Sequence, residues 1–199
     1  MTENDADLDE SFPEVRIHPA RALLITTLLA GIYALIFVLF GREYRTTNVE
    51  LISSLGLASG LLLLSYTDLR TGLLLDLLTW PLVAFGLGYA AYAGTLAFAL
   101  SGAVIGYGLI AGLGWVWRTM RGYEGIGLGD AKLLAAGGAW VGLTGLPLIL
   151  LIASGTGILV AFTVSQRSRL SQDRLAIAFG PSLAFGIWIV WCWPILTLA

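Results

Sequence analysis

The chain has 199 residues, of which 57% are hydrophobic and only 12% are charged, and its mean hydropathy is +0.85. Soluble domains carry about 25% charged residues, so this composition excludes an ordinary water-facing globule and predicts a protein surrounded by lipid. The net charge of −2 hides an asymmetry, because the acidic residues are concentrated at the start of the chain.

The first 20 residues are predicted to form an acidic tail. Six of the 13 acidic side chains fall within the first 14 positions, a density that is typical of solvated, disordered segments. They are Glu3, Asp5, Asp7, Asp9, Glu10 and Glu14. A cleavable signal sequence would begin with basic residues, so we do not expect one in a chain that starts MTENDADLDE.

Apolar runs then follow one another along the rest of the chain. A membrane-spanning helix needs about 20 apolar residues, and fewer where neighbouring helices shield it. Seven runs meet this condition, although the fifth is short and rich in glycine; they are 22–40, 51–67, 77–93, 95–117, 133–145, 146–165 and 181–198. The sequence therefore predicts an all-α, polytopic membrane helix bundle with about seven transmembrane helices.

Basic residues predict the orientation of this bundle. Nine of the 11 basic side chains lie on the side that holds the N-terminal tail and the segments 68–76, 118–132 and 166–174. They are Arg16, Arg21, Arg70, Arg118, Arg121, Lys132, Arg167, Arg169 and Arg174. Because basic residues favour the cytoplasm, we expect these segments to be cytoplasmic and the C-terminus to lie outside.

Two glycine pairs at four-residue spacing occur in the fourth run. Gly102 is followed by Gly106, and Gly108 is followed by Gly112. This spacing lets helix backbones approach closely. We expect it to serve packing within the bundle, with a dimer interface as the alternative.

Cys192 is the only cysteine and His18 is the only histidine, so the sequence offers no internal disulfide and no zinc-binding cluster. We expect Cys192 to be a small buried apolar residue. Ser–His catalysis would have to recruit His18 from the tail, and we do not expect it. We also expect no metal and no cofactor.

Acidic residues at the predicted cytoplasmic helix ends are the candidate functional groups. Asp68, Asp76 and Asp130 lie there, whereas Glu43 and Glu50 fall on the outer side. Ionisable residues at membrane segments are costly and therefore point to function. Two neighbouring carboxyl groups share one proton, so the ionised acid can activate water while the protonated acid donates to a carbonyl oxygen. Such a pair hydrolyses peptides without a metal or a nucleophilic side chain.

Each aspartate also has a structural interpretation. Asp130 follows the turn GIGLG and would cap the next helix, and Asp76 would cap the third run. Asp68 instead ends a run, where a negative charge opposes the helix dipole. That position is harder to explain by stability, so we favour Asp68 over Asp76 as the partner of Asp130. Gly127 and Gly129 would leave room for a substrate backbone.

Three motifs carry a resemblance to a known family. They are DLRTGLLLD at 68–76, GLGDAKLL at 127–134 and AFGPSLAFG at 178–186. From about residue 50 onward the chain resembles the type IV prepilin peptidases, membrane aspartic proteases of the GxGD group. The resemblance implies that Asp68 and Asp130 are catalytic and that the site faces the cytoplasm. It also implies that the substrates are type IV prepilins or type II secretion pseudopilins, which have a short basic leader and a hydrophobic helix.

Two departures from the family pattern are visible. Leu75 replaces a common proline before Asp76, which affects the expected shape of that loop. Paired cysteines of a zinc-binding methyltransferase insert are missing, and there is no room for the insert between residues 41 and 48. We therefore predict a peptidase that does not N-methylate. The predicted organisation is a tail (1–20), an N-terminal span with a short outer loop (21–48) and a peptidase domain (49–199).

Other functions remain open at this stage. One alternative is a non-enzymatic carrier or assembly component that uses its aspartates as a proton or cation relay. A relay favours acids at mid-membrane depth, whereas these acids lie at predicted helix ends. A related peptidase for another membrane peptide is a third possibility.

Lys132 faces away from Asp130 on a helix, and we interpret it as a basic anchor at the boundary, with a substrate or phosphate contact as the alternative. We expect a lipid bilayer of the inner membrane and no nucleic acid as partners; the oligomeric state stays open.

Overall fold

The computed structural model describes residues 18–41, 47–121, 127–167 and 178–193. Within these ranges the chain forms α-helices and no strand, which confirms the prediction of an all-α polytopic membrane protein. The seven α-helices are α1 (Pro19–Ile36), α2 (Asn48–Thr71), α3 (Asp76–Tyr92), α4 (Leu96–Arg121), α5 (Leu128–Val141), α6 (Leu146–Arg167) and α7 (Gly180–Cys192). Residues 1–17 of the predicted acidic tail and most of the basic segment 166–174 lie outside the described residues, whereas positions 19 and 20 already belong to α1.

Local sequence explains where the helices begin and end. A capping box opens α2, because the Thr47 hydroxyl accepts from the Glu50 amide and the Glu50 side chain accepts from the Thr47 amide. Gly72 ends the same helix with a φ of 65°, a left-handed conformation that glycine adopts without strain. Helix α5 begins at Leu128, earlier than the predicted 133, so Asp130 is part of the helix and not of the preceding turn.

Among the residues that the structure describes, four helical stretches are long and apolar enough to cross a membrane, as judged by length and composition alone. They are Pro19–Phe40, Asn48–Thr71, Leu96–Met120 and Leu143–Thr163. The remaining helices have 17, 14 and 13 residues. A 14-residue helix is only about 21 Å long, shorter than a bilayer core of about 30 Å. Neighbouring helices shield α5, which is buried continuously from Leu133 to Trp140, and most of α7, whereas α3 exposes large apolar side chains such as Leu77 and Phe85.

Helix α5 packs against α4 through glycines. A Cβ atom on Gly102 would lie 2.6 Å from the Gly138 carbonyl oxygen, and one on Gly106 would lie 2.9 Å from the Leu134 carbonyl oxygen. Only glycine permits this backbone approach. The expected packing role within the bundle is confirmed for Gly102 and Gly106. Gly108 and Gly112 have no neighbour within 4 Å at their Cβ positions, so they take no part in this contact.

Tryptophan side chains join the other helices. Trp140 on α5 donates its indole N–H to the Leu82 carbonyl oxygen of α3 at 2.8 Å. On α7, Trp188 donates to the Tyr33 carbonyl oxygen of α1 at 3.0 Å, and Trp191 donates to the Ser54 hydroxyl of α2 at 3.0 Å. These bonds satisfy polar N–H groups inside an apolar bundle. Cys192 is buried beside them, as predicted.

Candidate active site

Asp68 lies in the last turn of α2 and is buried, with 7% of its surface exposed. Its main-chain carbonyl accepts the Gly72 amide at 2.8 Å, which closes the end of the helix. Its carboxylate does not point into solvent, because Oδ2 accepts the Gly180 amide at 2.9 Å. The first residue of α7 therefore contacts an acid 112 positions earlier in the chain.

Gly180 lies in the candidate site, although the sequence motifs did not predict a role for it. A Cβ atom at this position would lie 2.5 Å from Asp68 Oδ2 and 2.9 Å from Asp68 Cγ, distances that no real side chain tolerates. The available signal was AFGPSLAFG, in which the pair Gly180–Pro181 marks a helix start. Sequence alone does not say which other element that helix start faces.

Asp130 is the third residue of α5 and is half-buried. Gly127 is the N-cap of this helix, and no side chain caps it, so the structure does not give Asp130 the capping role considered above. Asp130 lies outside the four helices long enough to span a membrane. Burial raises its pKa to about 6, and the charge of Asp68 adds to the rise. The structure thus brings the carboxyl groups of Asp68 and Asp130 within electrostatic range of each other.

Asp76 is engaged elsewhere. It is the first residue of α3, but the N-cap is Leu75 and no side chain caps the helix. Instead, Asp76 Oδ1 lies 2.5 Å from Lys132 Nζ on α5. The pair joins the start of α3 to the first turns of α5. Lys132 therefore binds the carboxylate of Asp76, a partner that the sequence analysis did not consider for it.

Gly129 supports a close contact between the two motifs. A Cβ atom on Gly129 would lie 3.0 Å from Leu74 Cβ, so the short connection between α2 and α3 rests directly on this glycine. Gly127 is exposed, and its Cβ position meets nothing closer than 4.0 Å. Gly129 is thus constrained by packing, whereas the space beside Gly127 is open.

No group of three or more His, Cys, Asp or Glu side chains suited to a metal ion occurs within the ranges that the structure describes. The candidate site consists of the Asp68 and Asp130 carboxyl groups and the Gly180 amide.

Comparison with known proteins identifies the family. The model of the type IV leader peptidase family matches residues 55–162, more than half of the chain. The chain belongs to this family. Both aspartates, the ion pair and Gly129 fall within the matched region, and Gly180 lies beyond it.

Curated family members are similar over longer stretches. The chain is 40% identical over 137 residues to a prepilin leader peptidase/N-methyltransferase of Burkholderia pseudomallei, covering 68% of this chain and 44% of the relative. It is 47% identical over 130 residues to the protein of that name from Escherichia coli, covering 63% and 56%. The relative from Pseudomonas aeruginosa is 39% identical over 172 residues, covering 85% and 56%.

The chain therefore spans about half the length of these family members. No solved structure matches it significantly.

Proposed function

We propose that this protein is an intramembrane aspartic endopeptidase that removes the short basic leader from prepilin-like or pseudopilin precursors at the cytoplasmic face of the inner membrane. The single observation that carries this assignment is that two acids from separate helices, Asp68 on α2 and Asp130 on α5, lie close enough for the charge of Asp68 to act on Asp130. Family membership and the names of the relatives indicate the substrate class.

Peptide hydrolysis by such a pair needs one ionised and one protonated carboxyl group. The ionised acid takes a proton from water while the water oxygen bonds to the scissile carbonyl carbon, and the protonated acid gives its proton to the carbonyl oxygen. The resulting tetrahedral diol then collapses. Its C–N bond breaks, the leaving nitrogen takes the proton held by the first acid, and one diol hydroxyl returns a proton to the second acid. Both acids end in their starting states.

The remaining predicted site residues support the pair. The Asp76–Lys132 ion pair holds the start of α3 against α5, so the connection at 72–75 stays on Gly129. Exposed ion pairs contribute little to stability, and we assign this one a positional role. Gly127 leaves the approach to Asp130 open, where an extended substrate backbone must enter.

Charge distribution supports the cytoplasmic face. The ends of α2, α4 and α6 and the starts of α3, α5 and α7 adjoin the segments that hold most of the basic residues. The two acids lie at the same helix ends, where a basic leader would emerge from the bilayer beside them. A hydrophobic precursor helix would remain in the lipid while its leader is cut.

Leader removal is the direct test. The purified protein in detergent is mixed with a prepilin, and the shortened product is followed on a gel for wild type, Asp68→Asn and Asp130→Asn. Asparagine keeps the shape of the side chain but cannot exchange the proton, so either change should abolish cleavage. Asp76→Asn removes the charge that pairs with Lys132 but leaves both acids of the pair in place, so it should cost much less activity than either of these changes. Full cleavage by both Asp68→Asn and Asp130→Asn would end the aspartic assignment; proton or cation flux without cleavage would favour the relay.

We also propose that this chain cleaves without methylating the new N-terminus. Its single cysteine does not supply the paired cysteines of a zinc-binding methyltransferase insert. Mass spectrometry of the cleaved product, with S-adenosylmethionine present, should give the mass of the unmodified peptide. A product heavier by one methyl group would contradict this assignment.

A further inference from the structure

The two acids of the candidate site lie in unequal surroundings. Asp68 sits at the C-terminal end of α2, where the dipole of its own helix disfavours negative charge. Its carboxylate, however, contacts the N-terminal end of α7, where free amides and the helix dipole favour an anion. Asp130 receives no hydrogen bond on its carboxyl group from the described part of the chain.

Space, and not backbone conformation, explains why glycine stands at position 180. The glycines with positive φ in the described residues are Gly72, Gly94 and Gly142, so the backbone of Gly180 is one that other residues adopt freely. A Cβ atom would nevertheless collide with Asp68 Oδ2 at 2.5 Å. The next residue is Pro181, which lacks an N–H. The Gly180 amide is therefore the donor through which the start of α7 reaches Asp68.

We infer that Gly180 is a positioning residue whose amide N–H, at the N-terminus of α7, holds Asp68 as the ionised member of the pair, so that Asp68 acts as the base and Asp130 as the acid. This assignment rests on the proposed peptidase function. It states that Asp68 removes the proton from water and that Asp130 delivers its own proton to the scissile carbonyl oxygen.

The environment of Asp130 agrees with this division of roles. Burial and the neighbouring charge of Asp68 raise the pKa of Asp130 to about 6, so a larger fraction of Asp130 keeps its proton than in an ordinary aspartate. Burial also disfavours the ionised form of Asp68, so the two roles are separated by the hydrogen bond from the Gly180 amide, which Asp68 receives and Asp130 does not. Two groups on other helices face Asp68 within the described residues. They are the Asp130 carboxyl group on α5 and the uncharged Gly180 amide on α7. The amide is the one that stabilises the negative charge of Asp68.

Two changes at position 180 test the inference. Gly180→Ala introduces the colliding Cβ atom. Replacing the Gly180 amide by an ester, through ligation of a synthetic C-terminal segment, removes the N–H and adds no atom, so the bundle should still assemble. Hydrogen bonds to charged groups lead us to expect that the ester lowers kcat about tenfold to hundredfold with little change in KM. Because the ionised form of Asp68 loses support, the acid limb of the kcat–pH profile should move to higher pH.

Gly155→Ala is the matched control, because its Cβ position on α6 meets nothing within 4 Å, and it should behave as wild type. A wild-type kcat and pH profile in the ester protein would overturn the inference while leaving the peptidase intact. A lower kcat with an unmoved acid limb would also overturn it, since that result indicates a purely structural role. If the wild-type protein cuts no precursor, the proposed function itself fails.

Discussion

Replacing Asp130 by asparagine should stabilise the protein even though it abolishes activity. The pKa of Asp130 rises from 3.8 to about 6 in the folded state, chiefly through burial and further through the charge of Asp68. One pKa unit corresponds to about 1.4 kcal/mol, so at pH values well above 6, where most Asp130 side chains have lost their proton, that charge lowers the free energy of unfolding by at most about 3 kcal/mol. Asparagine has a similar shape and carries no charge. It also loses no side-chain hydrogen bond to the described residues.

The stability that Asp130→Asn gains over wild type should depend on pH. Below about pH 3.8 the carboxyl group is protonated in both states and the variant gains nothing. Between pH 3.8 and 6 the unfolded chain has lost the proton that the folded protein still holds, so wild-type stability falls as pH rises. The advantage of Asp130→Asn should therefore grow over this window and stay constant above it.

Thermal unfolding in detergent, followed by tryptophan fluorescence at a series of pH values, measures the effect. Asp130→Asn should unfold at a higher temperature than wild type at pH 7.5, and the two midpoints should converge toward pH 4. Asp76→Asn is the control, because it removes an ion-paired carboxylate on the exposed side of the site and should bring no gain. An Asp130→Asn protein that is less stable than wild type at pH 7.5 would refute the reasoning.

Two further predictions concern the scaffold. Reversing one charge of the ion pair, by Asp76→Lys or Lys132→Asp, should lower cleavage several-fold in the same gel assay. The double variant restores a pair of opposite charges and should recover much of the activity. Equal activity in all three variants would show that the pair has no positional role. Gly138→Ala would place a Cβ atom against the Gly102 backbone and should unfold the bundle at a clearly lower temperature, whereas Gly108→Ala, which meets nothing within 4 Å, should match wild type.

Hydropathy and charge were enough to predict the helices and the ends at which the acids lie. Each of the seven apolar runs corresponds to an observed helix, and Asp68 and Asp130 lie at helix ends as expected. The spacing of Gly102 and Gly106 also predicted a close helix contact, although it did not identify α5 as the neighbour. These features depend on local patterns, and such patterns are legible in one sequence.

The sequence did not predict which helices lie next to one another in the bundle. The helices of a membrane bundle are apolar on most faces, so periodicity does not say which face meets which neighbour. The Asp76–Lys132 pair joins residues 56 positions apart, and the Gly180–Asp68 bond joins residues 112 positions apart. Asp76 looked like a helix cap for the same reason, because its true partner lies on another helix.

Kinetic coupling between Asp68 and Asp130 tests the central claim most directly. The turnover of one prepilin substrate is measured for wild type, Asp68→Asn, Asp130→Asn and the double variant. Two acids that share one proton act as a unit, so each single change should reduce kcat to the same residual rate that the double variant shows. Single losses that multiply in the double variant, or near-normal turnover after either single change, would contradict a joint catalytic pair.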